Sequence, residues 1–333
     1  MVGFNKFFIF ILLNFLVAFL PESAIYSQTD LKPENGEVLR IQLVTIGPGS
    51  DLTSFWGHNA VIVEDTTSGL SYFYNYGLYS FDEDFILNFV KGRLIFHVDA
   101  FRTQNAFWYY MDQNRDIRVQ TLNLSPEKRL EIAQKLEENI KPENQEYLYH
   151  HYKDNCATRV RDLMNQVLNG QLKAKTDSAG DMTLRELTCR FTHNHYIWTW
   201  LLMFPMNDSI DKPIQLWDYM FLPSEMEEIL RDFQYRNQEG KIVPLVAEEN
   251  VIFQAEGRET IPDSPPNYFW ITLLISIFIA AMVLMAGWLA GTGKRFLYGF
   301  VNLIIGLFIG FLGIFLTLLS LFTDHIITYY NEN

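Results

Sequence analysis

The sequence predicts an α+β domain with an antiparallel sheet and added helices, followed by two transmembrane helices. Three observations carry that reading. Strand-like runs separated by turn residues fill the first part of the chain, a well-capped helix follows them, and two long uncharged apolar runs stand near the end.

Composition narrows the function. The chain has 333 residues, a formal net charge of -13 and 15% aromatic residues, among them 27 Phe, 17 Tyr and 7 Trp. An acidic balance without a basic tract argues against nucleic acid as a partner, and the aromatic abundance suits a membrane-associated protein or an apolar ligand. Between the terminal apolar segments lie about 240 residues, enough to bury a core of their own.

In chain order, Met1 to about Ser27 carries Lys6, an apolar run and then Pro21-Glu22-Ser23-Ala24. That run is too short for a stable span and reads as a signal peptide over 1–27, with no cysteine where a lipoprotein would carry one. Val38 to Ile46 alternates as a strand ended by Gly47-Pro48-Gly49, and a hairpin follows from Asn59–Glu64 and Ser71–Tyr76. Period-two alternation puts His58 on the face of Ala60 and Ile62, at the entry of its strand. Taken alone, a histidine there is more often a hydrogen-bonded core residue than a catalyst. On the neighbouring strand Phe73, Asn75 and Gly77 share one face. A helix over 81–90, a strand over 94–98, a helix over 103–113 and a strand over 116–124 come next. Ser125 then caps a helix with Pro126 at its first position, running to about Ile140.

The stretch Tyr152 to Leu163 reads as a helix start with a cysteine in its first turn. Asp154 or Asn155 can accept hydrogen bonds from the free N–H groups there, and Gly170 is placed to stop the helix. Val160, Leu163, Met164 and Val167 recur at the spacing of a buried stripe, and Cys156 lies one turn before Val160 on that face. A thiol at a helix N-terminus meets the positive end of the macrodipole, which favours the nucleophilic thiolate. Position alone leaves two other readings open: a buried structural cysteine, or half of a disulfide with Cys189, the only other cysteine. Further helices are expected over 184–192 and 223–233, an apolar, tryptophan-bearing segment over 195–204, and short strands over 242–247 and 251–254.

The segment 256–267 is a polar, proline-bearing linker, so the soluble domain is expected over 28–255. The apolar runs 268–291 and 297–322 have bilayer-spanning length, and Lys294 and Arg295 mark the 292–296 loop as cytoplasmic. The tail 323–333 then lies on the same side as the soluble domain, with Asp324 and His325 near the membrane surface. The Gly306 and Gly310 pair suits close helix packing. His97, His150, His151, His193 and His195 show no metal-type spacing, so neither a metal nor another cofactor is expected.

A strand histidine followed by Asn-Cys at a helix start matches a permuted papain-like thiol fold. There His58 would deprotonate Cys156, Asn75 would hold the imidazole, and backbone N–H groups at the helix start would receive the oxyanion. The pieces Phe55-Trp56-Gly57-His58-Asn59, Asn75-Tyr76-Gly77, Phe89 to Leu94, Leu122 to Ser125 and Asp154-Asn155-Cys156-Ala157-Thr158-Arg159 resemble the Lnb-type lipoprotein N-acyltransferases of Bacteroidetes. More distantly, the Asn155-Cys156 element and the strand histidine are similar to lecithin:retinol acyltransferase and NlpC-type peptidases. The nearer resemblance implies a periplasmic thiol acyltransferase on the bacterial inner membrane. It would take an acyl chain from a phospholipid and pass it, through an S-acyl cysteine, to the N-terminal amine of a diacylglyceryl-modified lipoprotein. It also implies a membrane part longer than the two spans present. Asp154, Asn155 and Arg159 are expected to support the site, and Arg159 and Arg161 either meet phosphate or are merely solvated. Two competitors use the same residues: an NlpC-like cell-wall peptidase, amidase or lipid hydrolase, and a non-enzymatic membrane protein held by a Cys156–Cys189 disulfide.

Overall fold

The computed structural model describes residues 29–79, 85–293 and 295–329. The signal peptide expected over 1–27, the start of the helix expected from Phe81, Lys294 and the last residues of the tail lie outside the described residues.

Seven antiparallel strands form the main sheet. In chain order these are β1 (Leu39–Ile46), β2 (His58–Asp65), β3 (Leu70–Leu78), β4 (Ile95–Arg102), β5 (Ile117–Leu122), β6 (Glu146–Leu148) and, after four short strands numbered β7 to β10 outside this sheet, β11 (Val246–Phe253). Their spatial order is β11-β5-β1-β2-β3-β4-β6. The expected hairpin is present as β2 and β3, with Ala60 opposite Asn75. Two strands expected over 242–247 and 251–254 are instead the short β10 (Ile242–Pro244) and one continuous β11. β11 gains its length by pairing with β5, a partner no local signal reveals.

Both faces of the sheet are covered. The helices are α1 (Phe85–Lys91), α2 (Thr103–Asp112), α3 (Pro126–Asn139), α4 (Cys156–Val167), α5 (Gln171–Lys175), α6 (Leu184–Arg190), α7 (Tyr196–Met203), α8 (Leu216–Tyr219), α9 (Pro223–Asp232), α10 (Phe269–Gly291) and α11 (Arg295–Phe322). On one face Ile41, Leu43, Val61, Val63, Tyr72, Tyr74 and Tyr76 pack against α3, α4 and α9 through Ile132, Leu136, Val160, Met164 and Leu230. Alternation sends Val44, Ile46, Ala60, Ile62 and Phe73 to the other face, where Ala106 and Tyr110 of α2 cover them. The tyrosine stripe is satisfied at its polar tips: Tyr74 donates to Glu137, and Asn139 donates to the Tyr76 hydroxyl at 2.7 Å.

A third core gathers Tyr152, Leu187, Phe191, Met203, Tyr219 and Phe221, with Trp56 packed on it. Helices α10 and α11 are long and apolar enough to cross a membrane, and almost none of their residues are buried within the protein.

Candidate active site

Asn155 alone fills the N-cap of α4. Its Oδ1 accepts from the Thr158 N–H at 2.9 Å, while the Thr158 hydroxyl accepts from the Asn155 N–H at 2.8 Å. Its amide nitrogen donates to the carbonyls of His151 (2.7 Å) and Phe221 (2.9 Å), so this buried side chain locks the helix start to the preceding turn and to the third core. Asp154, the other cap candidate, instead holds Arg159 with a bidentate pair, Nη2 to Oδ2 at 2.9 Å. The Arg159 guanidinium also lies over the Tyr147 ring, 4.2 Å from its centroid. Arg161 is neither solvated nor free for phosphate: it is buried over Trp217, 4.0 Å from that ring, and donates to the Trp217 carbonyl.

Helix α4 packs on the Val61 and Val63 face of the sheet, whereas His58 belongs to the Ala60 and Ile62 face. They meet at Gly77. This residue sits in a β-bulge between Tyr76 and Leu78 and has φ +99°, a conformation glycine adopts without steric cost. The position a Cβ would take on Gly77 is 3.7 Å from the Cys156 Cβ, 3.7 Å from His58 Cε1 and 4.0 Å from the Tyr147 hydroxyl. Thiol carrier, imidazole and phenol thus surround one small gap that only glycine leaves open.

Asn75 lies diagonal to His58 across the hairpin, and its Oδ1 is 2.6 Å from His58 Nε2. An amide oxygen is only an acceptor, so Nε2 carries the proton and Nδ1 is the basic nitrogen of the ring. The Asn75 side chain also hydrogen-bonds the Tyr110 hydroxyl.

Burial, more than the helix terminus, sets the charge state. It pushes the Cys156 thiol up, against the opposing effects of the Asn59, Ala157 and Cys156 N–H groups and of Arg115. The expectation of a ground-state thiolate therefore fails, because desolvation of the charged form outweighs the helix-start donors. Burial likewise lowers His58 to about 4, helped by Arg115 and resisted by Asn75. The resting pair is a thiol and a neutral imidazole. Cys156 and Cys189 are both free, which removes the disulfide alternative.

Two residues that sequence reasoning passed over stand at this site. Tyr147 is buried, and its hydroxyl has no hydrogen-bond partner among the described residues. Arg115 is also buried. Its Nε donates to the Gly47 carbonyl at 2.9 Å and its guanidinium lies 5.2 Å from the Tyr110 centroid, while Nη2 has no partner among the described residues. For Tyr147 a signal existed in the aromatic and histidine-rich stretch Tyr147 to Tyr152 that leads into the cysteine helix. For Arg115, at the turn before β5, there was none.

An α+β fold that gathers a half-buried cysteine, a histidine and an asparagine at the end of its sheet, ahead of two membrane-length helices, fits a membrane-anchored protein with a thiol-bearing domain. Comparison adds a family likeness: residues 31–190 match the model of the Lnb N-terminal periplasmic domain, so this part of the chain is similar to Lnb-type proteins. No curated protein and no solved structure matches it. The matched segment runs from before β1 through α6, so it contains His58, Asn75, Gly77, Tyr147 and Cys156.

Proposed function

We propose that the protein is a lipoprotein N-acyltransferase of the bacterial inner membrane, with Cys156 as nucleophile, His58 as base and Asn75 as its orienting partner. The observation that carries this reading is the gap at Gly77, lined by Cys156, His58 and Tyr147 inside an Lnb-type domain. The organisation that goes with it is a signal peptide (1–27), a periplasmic domain (28–255) and a linker (256–267). Spans over 268–291 and 297–322 then flank a cytoplasmic loop (292–296), and a periplasmic tail (323–333) follows.

In the first stage the neutral thiol gives its proton to His58 Nδ1 as sulfur attacks a phospholipid acyl ester. Collapse of the tetrahedral adduct breaks the ester C–O bond; the imidazolium returns the proton to the leaving alkoxide, giving S-acyl-Cys156 and a lysophospholipid. In the second stage the lipoprotein amine attacks the thioester, loses a proton to His58, and the proton passes to the departing thiolate. The oxyanion of each adduct is received by N–H groups at the start of α4 and by the Tyr147 hydroxyl. Burial holds that phenol protonated, so it stays a donor. Two membrane-length helices keep such a site at the surface where lipid substrates lie.

The test is mass spectrometry of a model lipoprotein in cells lacking their own N-acylating enzyme. A third acyl chain that requires Cys156 and His58, and survives Cys189→Ala, is the expected result. No third chain from a folded, membrane-inserted wild type would sink the reading, and muropeptide cleavage by the same protein would replace it with a peptidase.

A further inference from the structure

Helix α7 presents an apolar face to nothing in the protein. Ile197 is 69% exposed, Leu201 48%, Trp198 43% and Trp200 40%, while Thr199 and Met203 on the opposite side are buried in or beside the third core. The surrounding stretch from Phe191 to Asn207 contains no Asp, Glu, Lys or Arg, in a chain that is 20% charged. Four large exposed apolar residues within two turns, without a charged neighbour in sequence, are costly in water, by roughly 25 cal/mol for each Å² left uncovered.

What covers them is indicated by where the helix sits. The Tyr196 ring packs edge-on against Tyr268, 4.9 Å between centroids, and the Tyr268 hydroxyl donates to the His193 carbonyl at 2.9 Å. Tyr268 is the residue immediately before α10. The apolar face of α7 is therefore continuous with the point at which the chain enters the bilayer. On the return side, Asp324, just past α11, donates its N–H at 2.8 Å to the carbonyl of Lys91, the last residue of α1, which exposes Leu87 and Val90. An eight-residue helix cannot span a bilayer, which needs about 20 apolar residues, but it can lie in the interface.

We infer that α7 is seated in the bilayer interface entered by α10, with Ile197, Trp198, Trp200 and Leu201 among lipid acyl chains. This seat reaches the site directly. His195, which precedes α7, stacks on Phe55 at 4.7 Å, and Trp56 donates to the Thr188 carbonyl at 3.2 Å. Phe55 and Trp56 lead into His58, so the helix in the lipid and the strand that carries the histidine are held as one piece.

The test needs no enzymatic activity and so stands apart from the proposed reaction. The full chain, with Cys156→Ala and Cys189→Ala, is placed in phosphatidylethanolamine/phosphatidylglycerol nanodiscs and spin-labelled through Ile197→Cys, Leu201→Cys or, as a control on α3, Glu131→Cys. Labels at 197 and 201 are expected to be more accessible to oxygen than to a water-soluble nickel chelate, and the label at 131 the reverse. Water-like accessibility at 197 and 201 overturns the inference. Low accessibility to both reagents overturns it equally, since it marks a protein partner. In the unlabelled protein, brominated lipids are expected to quench less tryptophan fluorescence after Trp198→Phe and Trp200→Phe together; an unchanged quenched fraction counts against the seat.

Discussion

At the scale of single residues, the proposed chemistry turns on two groups that are both neutral at rest. With His58 lowered to about 4, its basic nitrogen is free well below the ordinary histidine range. The single-turnover rate of Cys156 acylation by a fluorescent phospholipid is therefore expected to be flat from about pH 5 to 8. An inflection near the ordinary histidine value of about 6.5 would show that burial does not control this imidazole. Tyr147→Phe removes one proposed oxyanion donor and is expected to slow that acylation by about 10²-fold. Alkylation of Cys156 by iodoacetamide passes through no tetrahedral adduct and should keep its rate. If both rates fall together, Tyr147 acts on the thiol instead of the oxyanion.

At the scale of elements, what matters is how α4 and β2 are held. Asn155 makes three side-chain hydrogen bonds in a buried setting, so Asn155→Ala loses a cap and orphans the His151 and Phe221 carbonyls. The expected cost is about 2–3 kcal/mol, readable as a lower denaturation midpoint, and a loss under 1 kcal/mol would mean that water replaces the amide. Helix α9 is tied to β5 by Glu227, whose carboxylate accepts from Arg118 Nε and Nη2 at 2.8 Å each. Glu227 is buried, whereas Arg118 keeps part of its side chain in solvent. Glu227→Ala is accordingly expected to cost about 3 kcal/mol, at the lower end for a broken buried pair. Chemical denaturation of that variant beside Glu64→Ala, whose Arg40 pair is exposed, checks the difference: the surface pair is expected to contribute under about 1 kcal/mol.

At the scale of the whole molecule, two half-buried histidines are expected to make the fold acid-sensitive. His58 and His151 are each lowered to about 4 by burial, His151 among Trp56, Tyr152 and Phe221. Between about 6.5 and 4 the unfolded chain binds more protons than the folded one. Their contribution is thus present above about pH 6.5 and lost as pH falls to about 4, on the order of 2 kcal/mol for each at pH 5. Thermal unfolding of the full chain in detergent should show a lower midpoint at pH 5 than at pH 7.5, and His151→Asn should shrink the gap. A gap that His151→Asn leaves unchanged would assign the acid sensitivity to other groups.

Much of this was legible locally. Strands 39–46 and 58–65, the Ser125 cap, the cysteine helix and the two membrane-length helices follow from alternation, capping chemistry and hydropathy, which neighbouring residues carry among themselves. The facing of His58 with Ala60 and Ile62 was readable for the same reason, since side-chain direction in a strand is a matter of parity. Four things depended on the tertiary structure. The β5–β11 pairing joins segments with long sequence between them. The choice of Asn155 over Asp154 as cap rests on Arg159 claiming the carboxylate and on Phe221 offering a carbonyl. The raised thiol, in place of a thiolate, follows from the depth at which α4 is buried. The last is the gap at Gly77, where a bulge, a helix start and the tyrosine before it converge. Contacts between distant segments, and the desolvation they impose, leave no periodic trace in a chain, and only folding decides them.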